Sequence, residues 1–222
     1  MASPPTCTSD LHPKHGFHPI SASSLHVPAQ FRTCTYHLLY SLPPSVFVDK
    51  YELANYRSSY SFQLWGTSNL ELPVFALEQS NSTLLLTVEP SDEPIEVNVP
   101  LHLRYGSPAL DSYVHIKAPE PVGFFSCPPT LNANVASASM PQLPEEVVQF
   151  ITQNSIRPVT FFPVIPATKV EDTLRAPVGR LYDLSLVEYG TVFTIFFLFW
   201  YLVRVAQVVG ARLESRHEKK VE

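Results

Sequence analysis

An all-β, sandwich-like domain followed by a single C-terminal transmembrane helix is the architecture this sequence predicts. Three features carry the reading. Residues 95–105 alternate apolar and polar with a period of two, the rhythm of a half-buried strand. Other short apolar runs recur at roughly ten-residue spacing between turn-forming residues, the pattern of a β-sandwich. Residues 189–203 (YGTVFTIFFLFWYLV) form an uncharged apolar run that water does not tolerate without burial.

The strand candidates, in order, are residues 35–41, 46–48, 61–65, 83–88, 95–105, 113–118 and 122–126. Turn signals separate them at Pro43-Pro44, Gly66-Thr67-Ser68-Asn69, Pro90-Ser91-Asp92 and Gly106-Ser107-Pro108. Residues 83–88 (TLLLTV) are apolar on both faces and read as a fully buried strand. In 95–105, Ile95, Val97, Val99, Leu101, Leu103 and Tyr105 share one face, opposite Glu96, Asn98, Pro100, His102 and Arg104. Pro100 has no N–H for a ladder, so the run is an edge strand or carries a bulge.

The 222 residues include 22 prolines and carry a formal charge of −5. The small negative charge gives no basis for nucleic-acid binding. Proline at about twice its usual share argues against long helices outside the membrane. Residues 1–30, rich in Pro, Ser and His, read as a flexible arm. Residues 31–127 read as the sandwich, and about one hundred residues suffice for one such core. Residues 128–183 read as a Pro-rich linker with one late strand candidate at 160–165, residues 184–211 as the helix, and residues 212–222 as a basic tail.

The uncharged run alone spans about 22 Å at about 1.5 Å per residue, short of a core about 27–30 Å thick. The helix therefore extends into residues 184–187 and 205–211, with Glu188 and Arg204 near the two interfaces. Arg204 either snorkels to headgroups or meets a partner helix. Tyr189, Trp200 and Tyr201 suit the aromatic belts. Arg204, Arg212, Arg216, Lys219 and Lys220 follow the run, whereas Lys169, Arg175 and Arg180 precede it among acids. The positive-inside rule then favours a cytosolic tail and a lumenal domain. Lys219 and Lys220, fourth and third from the end, look like a dilysine retrieval signal of the endoplasmic reticulum, which a cytosolic receptor reads. Residues 1–20 have no apolar core of a secretory signal peptide. A lumenal domain then requires an upstream start or translocation driven by the late helix. The alternative is a tail-anchored protein with a cytosolic domain, which would leave the lysines in the lumen.

Cys34 and Cys127 bracket the β region. In an oxidising lumen they would close its first and last strands, and two buried free thiols are the alternative. Asn81-Ser82-Thr83 is an N-glycosylation sequon, whose use requires the lumen and an exposed turn. His12, His15 and His18, with Cys7 and His26 nearby, have the residue types for zinc, but Pro13, Gly16 and Pro19 break any helix that would align them, so no metal site is expected. His37, His102 and His115 fall on the presumed polar strand faces and read as solvated. No Gly-x-Ser-x-Gly, P-loop, dinucleotide fingerprint, His-Glu-x-x-His or Asp-x-Asp is present. No catalytic residue and no cofactor are expected.

Residues 36–53 read YHLLYSLPPSVFVDKYEL and residues 100–108 read PLHLRYGSP, followed by Tyr113-Val114-His115-Ile116 and PVGFFSC at 121–127. These segments resemble the PIG-X family and its fungal Pbn counterparts. The resemblance covers roughly residues 31–127, and the single span agrees with it. It implies a type I membrane protein of the endoplasmic reticulum that binds and stabilises PIG-M, the multi-span catalytic subunit of GPI mannosyltransferase I, which adds the first mannose to the GPI precursor. The missing signal sequence and the shorter N-terminus depart from the family. Asp49, Tyr51, Arg104 and Tyr105, polar or aromatic groups able to anchor an interface, are the candidate contacts with that subunit. A general lumenal folding or cargo-handling factor is the second reading, a lumenal enzyme the third and a cytosolic tail-anchored adaptor the fourth.

Overall fold

In a computed structural model, the structure describes residues 5–67, 69–70, 72–77, 79–89, 94–129, 142–166 and 173–221, with side chains to residue 213. The chain divides into two units: Met1–Ser107 with Tyr113–Val178, and Pro108–Ser112 with Gly179–Glu222.

The first unit is built from strands β1 Thr6–His12, β2 Ile20–His26, β3 Thr35–Leu42, β4 Val46–Phe47, β5 Ser61–Trp65, β6 Ser82–Val88, β7 Ile95–Pro100, β8 His102–Leu103, β9 Tyr113–Lys117, β10 Val122–Cys127, β11 Thr160–Pro163, β12 Ile165–Pro166 and β13 Thr173–Pro177. Two helices join them, α1 Lys50–Leu53 and α2 Glu145–Asn154. One sheet runs β12-β1-β2-β7 and a second β11-β10-β3-β6-β5, with two-stranded pairs β13-β9 and β4-β8. Leu25, Val97 and Val99 of the first sheet and Leu38, Leu84, Leu86 and Phe125 of the second belong to one buried cluster. This is the sandwich that the strand spacing predicts.

The second sheet is covered on both faces. Tyr36, Leu38, Tyr40 and Leu42 of β3 face the sandwich core, while Leu39, Leu85 and Phe124 pack with Val147 and Ile151 of α2. Double burial is why residues 83–88 and 36–40 are apolar at consecutive positions rather than alternating. The helix follows Pro144 at its N-cap and places two glutamates in its first turn, where the dipole favours them. Val147 and Ile151, four apart, then fall on one face.

Two boundaries differ from the sequence expectation. Within the stretch expected as a free arm, residues 6–26 are not one, because β1 and β2 form an antiparallel hairpin that supplies the centre of the first sheet. Its inward positions include Cys7, Leu11, Ser21, Ser23 and Leu25, and the small polar ones hide the alternation. Burial is compensated by hydrogen bonds, Ser21 Oγ to Tyr40 Oη at 3.0 Å and Ser23 Oγ to Ser9 Oγ at 3.2 Å. Residues 128–183 are also more than a linker. They supply α2, β11, β12 and β13, so the sandwich is completed from both sides of 31–127. Residues 130–141 and 167–172 of that stretch, and the turn at Pro90-Ser91-Asp92, lie outside the described residues.

The expected late strand divides as the chain passes from one sheet to the other, β11 pairing with β10 and β12 with β1. Val164 N–H donates to Gly123 O at this corner, and a Cβ on Gly123 would lie 2.8 Å from the Tyr36 hydroxyl, so glycine is required there. Gly66, with φ of 98°, makes the turn out of β5, and a Cβ there would clash with Ser82.

Residues 95–105 also divide. β7 is the edge of its sheet, with Pro100 opposite Ile20, as the missing N–H predicts. Past Pro100 the chain takes a second partner, β4, and the alternation slips: Arg104 is buried and Tyr105 exposed. Cys34 and Cys127 are joined by a disulfide across 93 residues of chain.

The second unit is dominated by α3 Leu184–Val221, preceded by a tight turn at Leu181–Asp183. Residues Leu181–Leu213 are long and apolar enough to cross a membrane, with mean hydropathy 2.0 in the best window and none of that window buried. The hydroxyls of Thr191 and Thr194 donate to Val187 O and Gly190 O within the helix, as apolar surroundings demand. Arg204 lies over the Trp200 ring, 5.9 Å from its centre. The residues expected as a separate tail continue the helix to Val221, and the side chains of Lys219 and Lys220 lie outside the described residues.

Candidate interaction surface

Two of the segments that carry the family resemblance, 36–53 and 100–108, meet through β4 and β8, which pair Val46 with Leu103 and Phe47 with His102. Arg104 N–H donates to Ser45 O at 2.9 Å and extends this contact. Asp49 then starts α1 by accepting the Tyr51 N–H on its carboxylate at 2.8 Å, an N-cap that turns the chain and leaves Tyr51 82% exposed.

Arg104 is placed differently from the expectation. Its guanidinium is buried rather than offered to a partner. It donates to the carbonyls of Asn69 (2.5 Å), Leu72 (2.8 Å) and Leu70 (3.4 Å), and its carbon lies 4.4 Å from the centre of the Phe47 ring. Burial pushes its pKa down from the ordinary arginine value. Its Nε has no hydrogen-bond partner among the described residues. Arg104 therefore ties the segment at 69–72 to the sandwich. The exposed groups here are its neighbours.

Those neighbours include groups to which the sequence reading gave no interface role. His102 Nε2 lies 2.6 Å from Glu52 Oε2, and His102 Nδ1 lies 2.9 Å from His18 Nδ1. An ionised carboxylate only accepts, so Nε2 of His102 carries the proton facing Glu52. In neutral His102 the bare Nδ1 then accepts from His18. The Phe47 ring stacks on His102, and Phe17 packs on Tyr105 with ring centres 4.5 Å apart. Tyr105 is still 71% exposed. Glu52 and His102 sit inside the motif segments, and His102, expected to be solvated, is instead partly buried between Glu52, His18 and the Phe47 ring. His18 and Phe17 lie in the region read as an arm, where His18 is weighed only as a zinc ligand.

The result is a polar and aromatic surface in which Tyr51 and Tyr105 project from a hydrogen-bonded base. Large rigid aromatics with a polar tip are groups able to anchor interfaces.

The other singled-out residues are dispersed. Asn81 is exposed just before β6, its Nδ2 donating to Ser41 Oγ at 2.9 Å. His12 lies 3.9 Å from Asp10 while His18 is drawn to His102, so the histidines of the first thirty residues do not converge. His115 is exposed as expected, but His37 is not solvated. It is buried under α2's side of the sheet, between Ser126 Oγ (2.8 Å) and Thr87 Oγ1 (3.1 Å) and stacked on Phe124, and burial holds its pKa down at about 4.

A family model described as PIG-X / PBN1 matches residues 14–206. Fungal relatives include Protein PBN1 of Gibberella zeae, 31% identical over 133 residues, covering 54% of this chain and 27% of the relative. Protein pbn1 of Neurospora crassa is 32% identical over 125 residues, 50% of this chain and 25% of the relative. Protein pbn1 of Aspergillus oryzae is 27% identical over 242 aligned positions, 97% of this chain and 44% of the relative. The chain thus spans from about a quarter to under half the length of these relatives. Among solved structures, BcpA, the major pilin subunit of Bacillus cereus, aligns over 56% of this chain at 10% identity and a TM-score of 0.32, too slight a likeness to bear on the fold.

Proposed function

The chain belongs to the PIG-X / PBN1 family, and from that membership we propose that it is a non-catalytic, stabilising subunit of GPI mannosyltransferase I in the endoplasmic reticulum membrane. The observation that supports this most is the extent of the match, residues 14–206, which takes in the sandwich from β2 onward and most of the apolar helix together. In this reading the sandwich is lumenal, the C-terminal end is cytosolic, and Lys219 and Lys220 return the protein to the endoplasmic reticulum. Asn81, exposed at a strand start, carries a glycan. The Cys34–Cys127 bond suits the oxidising lumen.

The partner is a PIG-M-like multi-span catalytic subunit. Such an enzyme presents polar lumenal loops and imperfectly packed helices. A protein that binds only its folded form stabilises it by mass action. Tyr51 and Tyr105 are the contacts through which the sandwich holds those loops, with Asp49 fixing the turn that presents Tyr51. The test is co-purification of the catalytic subunit with the full chain from membranes. The wild-type chain is expected to retain it, and Tyr51→Ala with Tyr105→Ala to lower recovery about tenfold or more, the effect of losing two anchoring aromatics. Undiminished recovery would remove this face from the interface. Recovery of many unrelated clients would favour a general folding factor.

A further inference from the structure

We propose that Pro108–Ser112 and the turn at Leu181–Asp183 form a collar seated in the headgroup layer of the bilayer, which fixes the depth at which α3 enters. The proposal rests on the reading that α3 crosses a membrane.

The two segments are held together by their own backbone. Ala109 N–H donates to Gly179 O at 3.0 Å and Leu181 N–H donates to Ala109 O at 3.1 Å. Arg180 Nε donates to Ser112 Oγ at 2.9 Å. Internal pairing of this kind lets backbone enter a poorly hydrated layer without stranded polar groups. The collar nevertheless exposes apolar surface: Leu110 is 64%, Leu181 47% and Tyr182 81% exposed.

Position says what covers that surface. The middle of the uncharged run is Phe196. Leu181 lies about 22 Å from it along a helix axis at about 1.5 Å per residue, whereas half the hydrocarbon core is about 15 Å. The collar therefore stands at headgroup depth, where tyrosine with its apolar ring and polar tip settles. Its charges are mixed, Asp111 and Asp183 against Arg180, so it suits zwitterionic headgroups and gains nothing from anionic ones. The collar also answers a need. A candidate span of 33 residues is about 50 Å long as a helix, well beyond the core, and the collar adds a depth marker to those of Tyr189 and Arg204.

The test uses the full chain with Cys7→Ser and Leu110→Cys, nitroxide-labelled, in phosphatidylcholine nanodiscs. Collisions with oxygen and with a water-soluble nickel chelate report depth. The Leu110 label is expected to meet the chelate at least about threefold less often than a nitroxide free in water, with oxygen access between those of water and of a Phe199→Cys label. Tyr182→Cys is expected to behave alike and guards against a local fault at Leu110. Chelate access equal to that in water at both positions would overturn the collar. Free chelate access at Phe199 would instead overturn the membrane-spanning reading on which it rests.

Discussion

Arg104 and His37 are both buried polar residues with opposite charge logic. Arg104 keeps its charge because three carbonyls and the Phe47 ring replace the water it loses. Removing it leaves those carbonyls unpaired, and Arg104→Ala is expected to cost about 3 kcal/mol, with Arg104→Lys recovering only part because an ammonium cannot reach the same fork of acceptors. Urea unfolding in detergent measures both. His37 is kept neutral instead. Its folded pKa of about 4 lies below the ordinary 6.5, so the unfolded chain binds the extra proton between those values. Stability is full above about pH 6.5 and falls as pH drops towards 4, by about 3 kcal/mol in total. The urea midpoint of the wild-type chain should fall across this window, and His37→Gln should flatten the slope. An unchanged slope would mean that His37 is not the group responsible. Charge reversal at Arg104 or Asp49 is a poor probe of docking, because the first would unpin the segment at 69–72 and the second would remove the cap of α1. Tyr51 is the clean probe, since its side chain carries no such duty.

At the scale of elements, α2 and the disulfide make separable contributions. Ile151→Ala removes a buried side chain between α2 and the second sheet and is expected to cost about 2–4 kcal/mol. The Cys34–Cys127 bond closes a loop of 93 residues, and Cys34→Ser with Cys127→Ser is expected to lower stability by about 2–5 kcal/mol, chiefly by freeing the unfolded chain. Elements of this kind were unequally legible in the sequence. Strands β3, β5, β6, β9 and β10 could be read because β-branched and aromatic runs stood between clear turns. The β1–β2 hairpin could not, since its inward Ser21 and Ser23 are polar and are satisfied only by Tyr40 and Ser9, residues the local pattern does not reveal. Helix α2 was hidden for a related reason. Its apolar positions 147, 150 and 151 have helical spacing, but the prolines around them suggested a linker. At the candidate surface, Tyr51 and Tyr105 were legible as aromatics able to anchor an interface, but alternation places Tyr105 on the apolar face, and its exposure follows from the slip after Pro100. Arg104 was misread because alternation places it on the solvent side, and the slip after Pro100 turns it inward.

At the scale of the whole molecule, the orientation across the membrane decides which proposals stand together. A glycan at Asn81 should shift the protein's mobility on a gel and disappear in Asn81→Gln, which would place the sandwich in the lumen and exclude the cytosolic adaptor. Lys219→Ser with Lys220→Ser should let the protein escape from the endoplasmic reticulum, visible by imaging. Neither result reaches the central claim, which is that this chain keeps a mannosyltransferase catalytic subunit folded. The direct measurement is depletion of the protein, followed in the same membranes by the level of that catalytic subunit and by incorporation of the first mannose into GPI precursor. Loss of both, with other membrane proteins unchanged, is the expected result. A catalytic subunit at its normal level with normal mannose incorporation would contradict it.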